Sequence, residues 1–149
     1  MAIRKYKPTT PGRRHASVNL HVEVTKKTPE KSLLAPIHKK GGRNHHGIIT
    51  AQGRGGGHKR RYRKIDFKRR RDDMVATVIG IEYDPNRSCH IALLRYADGS
   101  LLYILAPRDI ADGDEILSSA DFLDPKIGNC MPFTHIPTGL MVHNIEMQP

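Results

Sequence analysis

The sequence predicts an all-β fold, a small antiparallel barrel carrying a long basic, glycine-rich N-terminal extension. Three observations predict it. Short apolar and β-branched runs alternate with tight-turn residues from Tyr62 onward, no long stretch has helical periodicity, and positive charge is concentrated in the first half of the chain.

The arm comes first. Residues 1 to about 36 contain Pro8, Pro11, Gly12, Pro29 and Pro36, and their one clear alternation, Val18 to Val24, predicts a single short strand in an extended arm. Residues 37–60 are glycine-rich and basic, with too few apolar side chains to offset the entropy of ordering, so they are expected to stay mobile until a partner orders them. From Tyr62 the pattern turns to β. Residues 62–68 alternate large and polar side chains, and 74–83 form a long β-branched run closed by a turn at Asp84-Pro85-Asn86-Arg87-Ser88. Residues 89–96 run to Asp98-Gly99, which predicts a two-residue hairpin; Leu101 to Leu105 returns, and 115–117 follow Asp112-Gly113 as a last short strand. Gly80 suits the bend that such a barrel needs. Beyond Asp124, residues 125–129 read as a linker, 131–137 as a loop and 140–147 as a strand with no evident partner. The expected division is an arm and loop at 1–60, a barrel at 61–124, and a linker with the beginning of another unit at 125–149.

The 149 residues suit one modest domain plus an extension, and a hydrophobic fraction of 38% leaves material for one small core. No run approaches the roughly 20 apolar residues of a membrane span, and the basic opening lacks the apolar centre of a secretory signal, so an intracellular, soluble protein is expected. Cys89 and Cys130 stand far apart outside any CxxC pair, which predicts reduced core thiols rather than a zinc ribbon or redox dithiol.

Residues 1–73 hold 21 of the 25 Lys and Arg and 5 of the 15 acids, a surplus of 16 positive charges; residues 74–149 hold 4 basic and 10 acidic residues, a surplus of 6 negative ones. Between His38 and Arg71 there are 13 Lys and Arg against the single acid Asp66. Such a run repels itself unless a polyanion neutralises it. A solvated tail, a targeting signal or a membrane-surface patch is the plainer reading of a basic run. Arginine outnumbers lysine here, however, and its planar fork suits phosphate and bases, while the glycines and the missing apolar face disfavour an amphipathic membrane helix.

The candidate contacts follow from residue type. In Arg54-Gly55-Gly56-Gly57-His58-Lys59, bare backbone between cations lets amides approach phosphate where a Cβ would collide; the alternative is a loose linker. Past Arg60, Tyr62 and Phe67 lie among Arg61, Arg63, Lys64, Lys68 and Arg69, an interleaving that suits base stacking beside backbone contacts, unless the two rings pack into the barrel. Arg13, Arg14 and Arg43 add charge upstream, and Arg87, in the turn after Pro85, is a loop cation on a rigid scaffold.

Other chemistries fit poorly. Lys59 is followed by Arg60 rather than Ser or Thr, and no apolar strand precedes the glycines, so Gly53 to Lys59 is not a nucleotide triphosphate loop. His45, His46 and His58 match no zinc spacing and have cationic neighbours. No nucleophile sits in a catalytic context, so no enzyme activity, cofactor or small-molecule substrate is expected.

Gly41-Gly42-Arg43-Asn44, Gly47-Ile48-Ile49-Thr50, the 54–59 string, Tyr62-Arg63 and Asp66-Phe67-Lys68-Arg69 together resemble the family of the second protein of the large ribosomal subunit. Tyr6-Lys7-Pro8-Thr9, Pro11-Gly12-Arg13-Arg14, Glu82-Tyr83-Asp84-Pro85-Asn86-Arg87, Tyr103-Ile104-Leu105-Ala106-Pro107, Gly113-Asp114, Gly128-Asn129, Ile136-Pro137 and Val142-His143-Asn144-Ile145-Glu146 resemble it in the same order, over nearly the whole chain. Its bacterial or organellar branch fits better than the archaeal one. The resemblance implies an OB-type barrel followed by the start of a second small β-barrel. It implies direct contact with large-subunit ribosomal RNA during subunit assembly, neighbouring ribosomal proteins as partners, and a place in the ribosome, cytoplasmic or organellar. The stretch from Asn19 to Ile37, with Lys26 and Lys27, matches poorly and reads as spacer. Members continue past the position of Pro149 with the rest of the second barrel and a basic, histidine-containing tail near the peptidyl-transferase centre. Roles tied to that part are not carried over. A generic single-strand-binding OB module is the competing reading of the same fold and charge.

Overall fold

The computed structural model describes residues 2–147. Its centre is a curled antiparallel sheet, a half-barrel of OB type. Eight strands occur along the described chain: β1 (Ile3–Lys5), β2 (Ser17–Asn19), β3 (Leu34–Pro36), β4 (Arg61–Arg63), β5 (Ala76–Glu82), β6 (Ile91–Tyr96), β7 (Leu101–Leu105) and β8 (Glu115–Ile116). The main sheet has the order β7-β6-β5-β8; β1 pairs with β2 and β3 with β4 in separate two-stranded ribbons.

The apolar run Ile91 to Leu94 of β6 has a structural cause: both faces of the strand are covered there. Ala92, Leu94 and Tyr96 join Ala76, Val78, Ile81, Ile104, Ile110 and Ile116 in one core cluster. Ile91 and Leu93 point the other way and pack with Tyr103 in a second cluster, against which Leu33 and Ile65 lie. A strand buried on both sides needs apolar residues at every position rather than at alternate ones.

Gly80 is where the pattern of β5 changes phase. Val78 pairs with Leu94 and Gly80 with Leu93, so Ile79 is an inserted residue and the strand bulges. Past the bulge, Ile81 returns to the face of Val78, and Glu82 turns to the side that carries Tyr103. There the Tyr103 hydroxyl donates to Glu82 Oε2 at 2.7 Å and accepts the Glu30 amide at 2.8 Å. Lys26 Nζ lies 3.1 Å from Glu82 Oε1, closing a polar link between the arm and the barrel. The arm also uses the edge that β8 leaves open: Thr25 and Lys26 amides donate to Ile81 O at 3.1 and 3.0 Å, and the Ile81 amide donates to Thr25 Oγ1 at 2.9 Å. A Cβ at position 80 would lie 3.0 Å from Lys26 Cβ, so glycine permits this close crossing.

Several expectations are corrected. The arm's strand spans Ser17–Asn19 rather than Val18 to Val24, because its pairing with Ile3–Lys5 ends there. Residues 62–68 do not make one strand: Arg61–Arg63 pairs with Leu34–Pro36, then Ile65 forms an isolated parallel bridge to Tyr103. The turn between β6 and β7 has three residues, 97–99, not two, with Ser100 paired to Tyr96 ahead of β7. Gly99 N donates to Tyr96 O at 2.9 Å and Tyr96 N to Ser100 O at 3.0 Å, with Gly99 alone in the left-handed region at φ +80°. Such a turn needs glycine at its third position. Residues 140–147 form no strand; Leu140, Met141, Val142 and Ile145 are exposed, and none of residues 140–147 pairs as a strand with another segment among the described residues. Gln148 and Pro149, the end of that segment, lie outside the described residues, as does Met1. The cysteines are not core thiols, since Cys89 is exposed and Cys130 half-buried.

Candidate nucleic-acid interface

The basic loop leaves and re-enters the fold through β3 and β4. Lys64 N donates to Leu33 O at 3.0 Å and extends their ribbon, Asp66 N donates to Tyr103 O at 2.8 Å and holds the ribbon against the half-barrel, and Leu33 and Ile65 cover the second core cluster. The loop's root is therefore part of the rigid scaffold.

Between those strands the chain makes a succession of turns rather than a plain linker. Gly42 O accepts the amides of Thr50 and Ala51 at 3.0 and 3.2 Å, and Arg43 bridges Ile49 in antiparallel fashion. Asn44 Oδ1 caps the enclosed turn, accepting His46 N at 2.9 Å and Ile48 N at 3.1 Å. Gly42 is required here: its φ is +72° and a Cβ would lie 2.2 Å from Ala51 O. On the return limb Gly55, Gly56 and Gly57 have φ of +122°, +75° and +75°, and a Cβ at Gly56 or Gly57 would meet nothing within 4 Å. The last two glycines thus leave open space beside their backbone. Lys39 Nζ donates to Gly56 O at 3.4 Å and His58 O at 3.2 Å, tying the outgoing limb to the returning one.

Arg54, Gly55, Gly56, Gly57, His58, Lys59 and Arg60 are all exposed along this limb, as are Arg43 and Lys64. Arg63 is half-buried, its guanidinium donating to Arg61 O at 2.7 Å. Tyr62 and Phe67 are exposed at 40% and 53%, which places their rings outside the core. Lys68 stands 4.0 Å from Glu146. Arg69, at φ +50°, is half-buried and donates to Gly128 O at 3.2 Å. Arg13 and Arg14 are exposed in the turn between β1 and β2, and Arg13 lies 5.3 Å from the centre of the Tyr6 ring.

Arg87 is a clamped cation rather than a free one. Its Nε donates to Asp84 Oδ2 at 2.6 Å, and the side chain retains 18% exposure against 0% for Asp84. Burial acts to lower the Arg87 pKa, but the hydrogen bond and charge of Asp84, with the Tyr62 phenol beside it, outweigh that and raise it. Asp84 Oδ1 accepts the Asn86 amide and side-chain nitrogen, both at 2.9 Å, and Asn86 Nδ2 also donates to Arg61 O at 2.8 Å. The turn after β5 is in this way fastened to β4. The guanidinium carbon of Arg87 sits 5.8 Å from the centre of the Phe67 ring, so Tyr62, Phe67 and Arg87 form one exposed aromatic and cationic patch at the loop's root.

Sequence reasoning missed Asp84 and Lys39. Asp84 was legible as the first residue of a turn; its complete burial, which makes it an anchor, depends on packing that no local pattern records. Lys39 looked like any other cation in the run. Among the described residues no group of three or more His, Cys, Asp or Glu is placed to hold a metal ion, and no helix is long and apolar enough to cross a membrane.

A comparison with known families matches the model described as Ribosomal Proteins L2, RNA binding N-terminal domain, to residues 30–118, which run from the segment that docks on Tyr103 to the end of the main sheet.

Proposed function

Because the chain belongs to the ribosomal protein L2 family through its RNA-binding N-terminal domain, we propose that it is a structural constituent of the large ribosomal subunit, holding large-subunit ribosomal RNA and supporting subunit assembly. The family is one of structural RNA-binding proteins, and an RNA-binding role at the ribosome follows from membership. Large-subunit RNA as the ligand, neighbouring ribosomal proteins as further partners and the assembly role are our finer reading.

One observation carries that reading: a cationic, glycine-rich loop is rooted on a rigid β scaffold next to an exposed Tyr62–Phe67–Arg87 patch. Arginine and lysine side chains along the return limb neutralise phosphates, and the open backbone at Gly56 and Gly57 admits phosphate oxygens to the amides. Phe67 has one face near Arg87 and is exposed, which suits it to a base splayed from a loop or bulge. We assign contacts to Arg13, Arg14, Arg43, Arg54, Gly55, Gly56, Gly57, His58, Lys59, Arg60, Tyr62, Arg63, Lys64, Phe67, Lys68, Arg69 and Arg87. In this reading residues 1–60 reach along the RNA, 61–124 provide the platform and 125–149 are a linker with the beginning of another unit.

The competing single-strand module makes a different demand. A generic binder holds an unstructured strand as well as a folded one. Competition binding at fixed salt, with large-subunit RNA fragments against unstructured oligonucleotides of equal length, separates the two. The ribosomal reading requires the folded fragment to win, and equal affinity would replace it with the generic one.

A further inference from the structure

A groove of about 520 Å³ lies between the β3 strand and the returning limb of the basic loop. Resting on the RNA-binding reading above, we propose that this groove receives one unstacked nucleotide of the bound RNA, separately from the Tyr62–Phe67–Arg87 patch.

The walls are of two kinds. Leu34, Pro36 and Ile37 give an apolar side, and Lys39, Lys59 and Arg60 give a cationic one. Pro36 pairs with Arg61 across the ribbon, which places that guanidinium-bearing residue at the same end of the groove. The opposite limb is held in position, because Lys39 Nζ bonds to the carbonyls of Gly56 and His58 at 3.4 and 3.2 Å. The groove is therefore formed by contacts within the chain and lies within the volume range of about 300–1,000 Å³ usual for ligand clefts.

A nucleotide has both of the surfaces that these walls complement. A lone phosphate would leave the apolar side bare, and an acyl chain would leave the cations without counter-charge. A base lying on Pro36 and Ile37, with its phosphate toward Lys39, Lys59 and Arg60, uses both. A continuous duplex cannot supply such a nucleotide, since its bases are stacked and paired; a bulge or loop can. This adds a nucleotide-scale selectivity to a loop whose other contacts read phosphate alone.

The test uses the whole chain with large-subunit ribosomal RNA. Pro36→Trp fills the apolar side and removes no charge; Ile37→Trp is the second variant, and the melting temperature of each confirms folding. Stacking of a single base accounts for about a tenfold loss of affinity. The expected result is a loss of that size in a folded variant with an unchanged salt slope, together with ultraviolet crosslinks of the wild-type chain in the peptides around Leu34–Pro36 or residues 59–61. Wild-type affinity of both folded variants, or crosslinks confined to Tyr62 and Phe67 while RNA is bound, would overturn the groove. If the wild-type chain itself binds no RNA, the reading on which the groove rests fails first.

Discussion

The half-barrel and the basic loop obey opposite rules. In the main sheet nearly every side chain of β6 is buried and the buried polar groups Glu82 and Asp84 have named partners. In residues 51–60 every side chain is exposed and the charges have no acids to meet. The difference teaches where each region's free energy comes from. The sheet is stabilised by burial within the chain, whereas the loop leaves its electrostatic repulsion to be relieved by another molecule. Asp84, Glu82 and Tyr103 join the two, for they tie the turn after β5 and the arm to the same scaffold.

That contrast breaks most visibly in the core. Leu94→Ala is expected to destabilise the chain by about 2–5 kcal/mol, read as a fall in Tm, and to leave RNA affinity unchanged wherever the variant is still folded. A large loss of affinity by a fully folded Leu94→Ala would mean that the two regions are not separable. At the junction the effects should mix. Asp84→Asn removes the charge that holds Arg87, at a cost on the order of 3 kcal/mol for a broken buried pair, and frees Arg87 and Asn86 to disorder the patch. Its RNA affinity should fall severalfold with no change in salt slope, because no phosphate-binding cation is lost; if only the slope changes, Arg87 acts as an ordinary phosphate contact.

Two glycines sharpen the comparison within the loop. Gly42→Ala should disturb the turns themselves, since the added carbon would collide with Ala51 O. Gly56→Val meets no atom within 4 Å, but at φ +75° the branched side chain strains the backbone, a cost confined to the exposed loop. We expect Gly56→Val to weaken RNA binding with little change in Tm, and equal affinity of variant and wild type would remove the argument from bare backbone. The smallest effect concerns alkaline stability. Burial, and then the hydrogen bond to Glu82, raises the Tyr103 pKa above its ordinary value. The neutral phenol is favoured in the fold, so its contribution is complete below about pH 10, where a free tyrosine titrates, and is lost as pH rises above that. Tyr103→Phe should melt earlier at neutral pH, since Glu30 N and Glu82 lose a partner, yet decline less steeply in the alkaline range; an unaltered alkaline slope would contradict this.

Much of the scaffold was legible because β-branched runs and turn dipeptides are local signals. Residues 101–105 were read at their true bounds, and Gly80 as a bend. The family resemblance pointed to the same RNA-binding domain that the matched model identifies. What escaped reading was non-local. The three-residue turn at 97–99 shares its glycine with a two-residue one, and the difference lies in which carbonyl Gly99 meets. Residues 140–147 alternate like a strand, but alternation supplies no partner. The clamp on Arg87 is invisible in the sequence because nothing in Asp84-Pro85-Asn86-Arg87 says that the first of these residues is buried. The candidate cations were visible as a class, while the Lys39 link and the groove it helps to form required the two limbs of the loop to be seen together.

The most direct test of the account is the salt dependence of binding between the whole chain and large-subunit ribosomal RNA. If the basic half works by displacing counterions, the logarithm of the affinity falls linearly with the logarithm of salt concentration, at about 0.7–0.9 per phosphate contacted, with a slope that requires several contacts. Binding that ignores salt, or no binding at low ionic strength, would contradict it.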